Sequence, residues 1–268
     1  MPVTPAMTDT TVETTIAPAP GMTRWKAAAI HLGISAAVTG LVLFAMLTLW
    51  YPPPLFLAEG GGDLLAILIP VDIVLGPLIT LVIFKTGKPG LRRDLGIVAF
   101  LQAAALIYGC YVMMQTRPVF IAFSIDQFLV VRASDLDDAD IEQAQQTGYG
   151  SLSLTGPKTV AVVLPTDKAE LGKLLANSLQ SGKGLHRMPR LFAPYEAHAT
   201  EALQRSRPVY LLRKHDMALA NKIEGLIQQY GLKSADLSYL PFQTRGGDGL
   251  ALIDGKTGKL VKLVPSLR

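Results

Sequence analysis

Three apolar runs near the start of this chain decide what it can fold into. They span residues 27–50, 64–84 and 95–114. An α-helix needs about 20 apolar residues to cross roughly 30 Å of hydrocarbon, and each run meets that length. Each also stops at a turn or charge signal. The first ends at Tyr51-Pro52-Pro53-Pro54, the second at Lys85-Thr86-Gly87-Lys88-Pro89-Gly90. The competing architecture is a soluble bundle of unusually apolar helices. Composition separates the two: the 268 residues are 17% charged, whereas soluble domains carry about a quarter. The deficit is local. Residues 27–114 hold few charges, while residues 115–268 read as an ordinary soluble domain. The fold class expected is a membrane protein, with three transmembrane α-helices followed by a C-terminal α+β extracytoplasmic domain.

Charge in the short loops orients such a chain. Arg24 and Lys26 precede the first run, and Lys85, Lys88, Arg92 and Arg93 fill the second loop. The first loop, Tyr51 to Asp63, has neither Lys nor Arg but does carry Glu59 and Asp63. The N-terminus and second loop should therefore be cytoplasmic. The first loop and residues 115–268 should lie outside, on the extracytoplasmic side. Trp50, Tyr51 and Tyr111 then fall near the outer interface, where aromatic residues concentrate. The first run is too long for a cleaved signal, and Leu49-Trp50-Tyr51-Pro52 makes a poor cleavage site. Residues 1–22 are rich in Thr, Pro and Ala and should be a disordered tail. Met22 offers an alternative start.

The outer segment is long enough for one compact core. Residues 118–125 and 127–132 read as paired strands around Asp126, and residues 136–146 as a short helix capped by Asp135. A strand over 159–164 precedes a helix over 168–179 whose Leu171, Leu174, Leu175 and Leu179 share one face. Helices over 195–204 and 216–230, a strand over 209–212 and strands over 238–243, 250–253 and 260–264 complete the mixed pattern.

Chemistry-bearing motifs are sparse. The single cysteine, Cys110, excludes an internal disulfide and a Cys-based zinc site. The stretch LALIDGKTGK evokes a phosphate loop. However, five residues rather than four separate Gly249 from Gly255, and a strand follows. The better reading is a hairpin turn at Asp254-Gly255-Lys256-Thr257-Gly258. His31, His186, His198 and His215 show no metal-ligand spacing, and His198 with Glu201 is a common accident. Asp137 and Asp138 start a helix, where they favour its dipole. The net charge of +4 gives no case for nucleic acid. The expectation is a non-enzyme without cofactor or metal.

One residue resists this bland account. Within IPVDIVLGP, Asp72 places a carboxylate inside an apolar run, and an ionisable residue there marks a functional site by default. It sits about 12 Å from the outer start of its run at 1.5 Å per residue. At similar depth, the polar candidates on the other two runs are Thr39 and Tyr108, to which a neutral carboxyl could donate. Pro70 and Pro77 flank Asp72 and weaken the backbone ladder, and Gly76 allows a close helix contact. His31, Thr80 and Gln102 form a looser polar set nearer the cytoplasm. Asp72 could lock the three-helix bundle, meet a partner's membrane helix, or pass protons or ions. Three spans with one central acid make a poor transporter.

Arg24-Trp25-Lys26 with His31-Leu32, Trp50-Tyr51-Pro52 with Leu55-Phe56, and Val71-Asp72-Ile73-Val74-Leu75-Gly76-Pro77-Leu78 together resemble the TfpX/TfpZ type IV pilin accessory proteins. Phe84-Lys85, Asp94-Leu95 and Arg117-Pro118-Val119 followed by Phe123 and Asp126 through Val131 continue the likeness. It loosens afterwards, with Tyr239-Leu240-Pro241 the best later match. The resemblance implies an inner-membrane factor without catalytic activity that assists assembly or stability of a type IV major pilin. It implies that pilin and the lipid bilayer are the partners. A pilin presents one apolar N-terminal helix in the membrane and a globular head outside. The rival readings are a membrane-anchored enzyme that modifies pilin and a periplasmic ligand-sensing domain.

Overall fold

The computed structural model describes residues 22–212, 217–229, 231 and 233–265. The expected tail up to residue 21, His215, and the expected helix ends at Asp216 and Tyr230 lie outside the described residues. Among the described residues, two helices are long and apolar enough to cross a membrane: α1 (Arg24–Leu49) and α5 (Leu91–Thr116). Thr23 caps α1, its hydroxyl accepting from the Lys26 amide at 3.3 Å. Gly90, at φ +82°, opens α5.

The middle apolar run is not one regular helix. It comprises α3 (Gly61–Ile69), a π-helical segment (Pro70–Leu75) and α4 (Gly76–Ile83). The break follows from the two prolines. Neither Pro70 nor Pro77 has an N–H to offer the ladder, and the chain answers by widening one turn. The Gly76 amide reaches back five residues to the Val71 carbonyl, which is the π-helical bond. A short α2 (Leu55–Ala58) precedes α3, within the first loop.

The C-terminal part is a mixed eight-stranded sheet. Its strands are β1 (Pro118–Ser124), β2 (Gln127–Arg132), β3 (Lys158–Val162), β4 (Phe192–Pro194), β5 (Arg207–Pro208), β6 (Leu237–Thr244), β7 (Gly247–Asp254) and β8 (Leu260–Val264). They lie in the order β4-β3-β1-β2-β6-β7-β8, with β5 joining β2 along one edge of β6. The β1/β3 and β2/β6 pairs are parallel, and the hairpins are antiparallel. The helices are α6 (Asp138–Gln143), α7 (Lys168–Ser181), α8 (Tyr195–Arg205) and α9 (Met217–Gln229).

Every residue of β1 is buried, because both faces of the sheet are covered there. On one face, Ile121, Phe123, Phe128, Leu240 and Phe242 pack beneath Tyr195, Ala199 and Ala202 of α8. Leu55 of α2 joins that same core, only 2% exposed. On the other face, Leu136, Phe192, Tyr149 and Leu152 pack with Phe120, Ala122 and Val131 of β1 and β2, and Ile223 and Ile227 of α9 cover Leu237, Tyr239 and Leu252 of β6 and β7. Full burial of each large apolar side chain contributes about 1.5–3 kcal/mol.

Several local expectations change. Asp137, not Asp135, caps α6: it accepts from the Asp140 amide at 2.9 Å, and Asp140 answers in a capping box. The segment 209–212 forms a 3-10 turn after β5 rather than a strand. In α7 only Leu174 is buried, while Leu179 is 85% exposed. Leu171 packs with Leu174, Met188 and Leu191 in one cluster, while Leu175 at 41% exposure lies at its edge. At residues 254–258, β7 and β8 form the antiparallel hairpin, with Asp254 accepting from the amides of Lys256 and Thr257.

Candidate functional site

The π-helical segment is where the three apolar elements exchange polar contacts. Its chemistry begins with a backbone defect. The Asp72 carbonyl could serve an amide four or five residues later. The Gly76 amide is already bound to Val71, and Pro77 has none. A carbonyl left alone in an apolar setting costs free energy. Gln102 of α5 supplies the donor: its Nε2 lies 3.1 Å from the Asp72 carbonyl oxygen. The approach requires Gly76, since a Cβ there would stand 2.6 Å from Gln102 Cδ.

The rest of the network follows from that bond. A carbonyl only accepts, so the Gln102 amide nitrogen faces Asp72 and its oxygen faces the other way. That oxygen lies 2.7 Å from His31 Nε2, which must therefore carry the proton. His31 Nδ1 is then free to accept from the Thr80 hydroxyl at 2.6 Å. Thr80 on α4, His31 on α1, Gln102 on α5 and the Asp72 backbone thus form one continuous chain of hydrogen bonds. It links all three apolar elements.

The Asp72 side chain stands outside this chain. It is 4% exposed, yet neither carboxyl oxygen meets a hydrogen-bond partner among the described residues. Thr39 is equally buried, and its hydroxyl is likewise unmet. Both line a cavity of about 200 Å³ between α1, α5 and the π segment, together with His31 and Gln102. Of the residues singled out from the sequence, the fold brings His31, Thr39, Asp72 and Gly76 to this place. Pro77 is buried beside them and Pro70 is exposed. Tyr108 is 68% exposed and does not line the cavity. Equal depth did not mean equal face: Leu106 lines the cavity, and a residue two positions on points about 200° away.

A second polar cluster joins the helices to the sheet. Glu59 is 4% exposed, and its carboxylate meets the Arg132 guanidinium at 2.6 Å and the Arg245 amide at 3.3 Å. Burial pushes the Glu59 carboxyl up, and Arg132 partly offsets this. The Gly246 amide donates to the Ala58 carbonyl at 2.8 Å. Tyr51 donates from its hydroxyl to the Met113 carbonyl at 3.0 Å, and Arg117 Nε donates to the Ser153 carbonyl at 3.1 Å. The sequence reading passed over Glu59 except as a topology marker. A lone acid in a loop between apolar runs gives no sign that arginines distant in sequence will meet it.

Among the described residues, no three His, Cys, Asp or Glu side chains form a group that could hold a metal ion. His198 lies 3.7 Å from Glu201, which also meets Arg205 at 3.5 Å along the same face of α8.

Comparison with known proteins gives a consistent direction. The model of a family described as fimbrial assembly protein FimB matches residues 21–60, the stretch that carries His31, Thr39, Leu55 and Glu59. The chain is similar to three fimbrial assembly proteins of Dichelobacter nodosus. The serogroup I protein is 30% identical over 122 residues, 44% of this chain and 47% of that protein. In that match the chain thus spans about half of its relative's length. The serogroups C1 and C2 protein is 29% identical over 122 residues, covering 44% of this chain and 92% of that protein. The serogroup E1 protein is 23% identical over 233 residues, covering 82% and 85% respectively. No solved structure matches the chain.

Proposed function

We propose that this protein is an inner-membrane accessory factor that stabilises a type IV major pilin or assists its assembly. The observation that carries the reading is the similarity to fimbrial assembly proteins, one of them along 82% of this chain. The TfpX/TfpZ resemblance of the sequence points the same way and supplies the finer role. In this reading α1, α5 and the α3–α4 run are three membrane spans, with the N-terminus cytoplasmic and the sheet periplasmic. The second loop, with Lys85, Lys88, Arg92 and Arg93, against a first loop without Lys or Arg, supports that orientation.

The architecture suits a substrate that is half in the membrane and half out. The apolar helices are available to a pilin's membrane helix, and the sheet to its globular head. The Glu59–Arg132 and Gly246–Ala58 contacts hold the two parts together, so both can engage one client in a set geometry. Deletion of the gene in the native host, followed by immunoblotting of the major pilin and microscopy of surface pili, tests this. Loss of pilin or of pili is the expected result. Abundant but unmodified pilin would instead indicate an enzyme acting on pilin, and unchanged pili would end the accessory reading.

A further inference from the structure

The hydrogen-bonded chain through His31 leaves a surplus of acceptors beside it. Gln102 Nε2 is committed to the Asp72 carbonyl and His31 Nε2 to Gln102. No Lys or Arg occurs in residues 27–84 or 95–114. Asp72 therefore presents two buried, unmet carboxyl oxygens, with the unmet Thr39 hydroxyl lining the same cavity. The Thr39 hydroxyl can donate, yet it meets neither Asp72 oxygen, so among the described residues the cavity supplies the carboxyl no bound donor.

Its shape indicates where that donor comes from. α1 and α5 meet near their outer ends through Met46 and Met113, and each packs on the α3–α4 run. Between them the cavity reaches the surface past Ile34 and Val38, which line it and are exposed. Ser35, Ala99 and Ala103 line it with small side chains, which let a helix backbone approach closely. Ile34 and Val38 stand exposed at the rim, 59% and 43%. An acyl chain would fill the space and donate nothing.

We propose that the groove between α1 and α5 seats a transmembrane helix of a partner protein, and that a hydrogen-bond donor on that helix binds Asp72 and Thr39. The donor is an amine, amide or hydroxyl group. This deepens the accessory reading and rests on it for the partner's identity, the membrane helix of the pilin. The groove then recognises its client by one buried polar contact within an otherwise apolar interface.

The test places a photoreactive residue at Ile34 or Val38 in the full-length protein, in host membranes. Val82 is the reference position: it is 76% exposed on α4 and does not line the cavity. Pilin adducts should form at Ile34 and Val38 but not at Val82. Asp72→Leu should lower them about tenfold, which corresponds to a lost interaction of about 1.4 kcal/mol. Asp72→Asn keeps an acceptor oxygen and should largely preserve them. Ala103→Phe fills the groove without touching the hydrogen-bonded chain, and it decides the matter if Asp72→Leu fails to accumulate. It should abolish the adducts at normal protein levels. Equal adducts at Val82, adducts that survive the variants, or adducts with lipid alone would each overturn the groove proposal. Loss of pili on gene deletion without groove adducts sinks only this inference. Normal pili on deletion sinks the accessory reading itself.

Discussion

Gly76 and Gln102 are fitted to each other so closely that one added methyl group on Gly76 would stand 2.8 Å from the Gln102 amide oxygen. That carboxamide cannot simply swing aside, because both of its ends are bound, to Asp72 and to His31. Gly76→Ala should therefore cost about 1–3 kcal/mol, the penalty for freeing buried polar groups. Gln102→Ala should cost a similar amount. The double variant should cost much less than the sum, since the methyl then enters space already vacated. Thermal unfolding of the detergent-solubilised protein measures all three. Strict additivity would show that the two residues do not share one interaction.

Leu55 precedes α3 in the chain yet packs among Phe128, Phe242 and Leu263 of the sheet. Leu55→Ala should destabilise the sheet region by about 2–5 kcal/mol, as for other buried leucines. Leu57 is two residues away and 63% exposed, so Leu57→Ala should stay within about 0.5 kcal/mol. Limited proteolysis of the 115–268 region reports the difference. Equal protection in both variants would place Leu55 outside the working core.

The buried Glu59 should make stability depend on pH. Burial lifts its carboxyl above the ordinary 4.5, while Arg132 only partly draws it back. A folded-state pKa above the unfolded one means that the folded protein holds the proton more tightly. That contribution is complete below about 4.5 and is lost as pH rises through the raised value. Glu59→Gln removes the titration, so its stability profile should be flatter than the wild type's across that window. Arg132→Ala leaves the carboxylate buried without its partner and should cost about 3–5 kcal/mol near neutral pH. The loss should shrink as acid neutralises Glu59. Melting curves collected across that window check both, and parallel profiles for wild type and Glu59→Gln would refute the assignment.

Ile125 sits at the first turn position of the β1–β2 hairpin with φ +60°. A β-branched side chain is strained there, and glycine is favoured at such a position. The residue is 54% exposed, so little burial compensates. Ile125→Gly should raise stability by about 1 kcal/mol. If piliation falls while stability rises, Ile125 is strained for the sake of a contact. No gain in melting temperature would mean that the turn is relaxed as it stands.

Much of this fold was open to sequence reasoning where one physical signal dominated. The three apolar runs, the β1–β2 hairpin and the Asp254–Gly258 turn all announce themselves through local composition. Pro70 and Pro77 likewise mark an irregular helix, because missing amides must distort a ladder. The partners of that irregularity were harder to see. Matching Asp72 with Tyr108 by depth failed because depth fixes height along a helix and leaves rotation open. His31, Thr80 and Gln102 looked like a loose set, since nothing local shows that Pro77 strips a carbonyl that Gln102 can serve. The Glu59–Arg132 pair and the burial of Leu55 depend on how distant segments meet, and no periodicity encodes that.

The contact between Glu59 and Arg245 joins residues 186 positions apart. During synthesis the first loop is complete long before the β6–β7 hairpin that closes over it exists. Until then Leu55 has no finished socket, and Glu59 and the Ala58 carbonyl lack their late-made partners. The nascent chain thus carries an open apolar site whose closure reports that its far end has arrived. A premature stop before Leu237 would leave that site permanently unsealed. Quality-control proteases would meet the damage in the first loop, far from the place where the message was cut short.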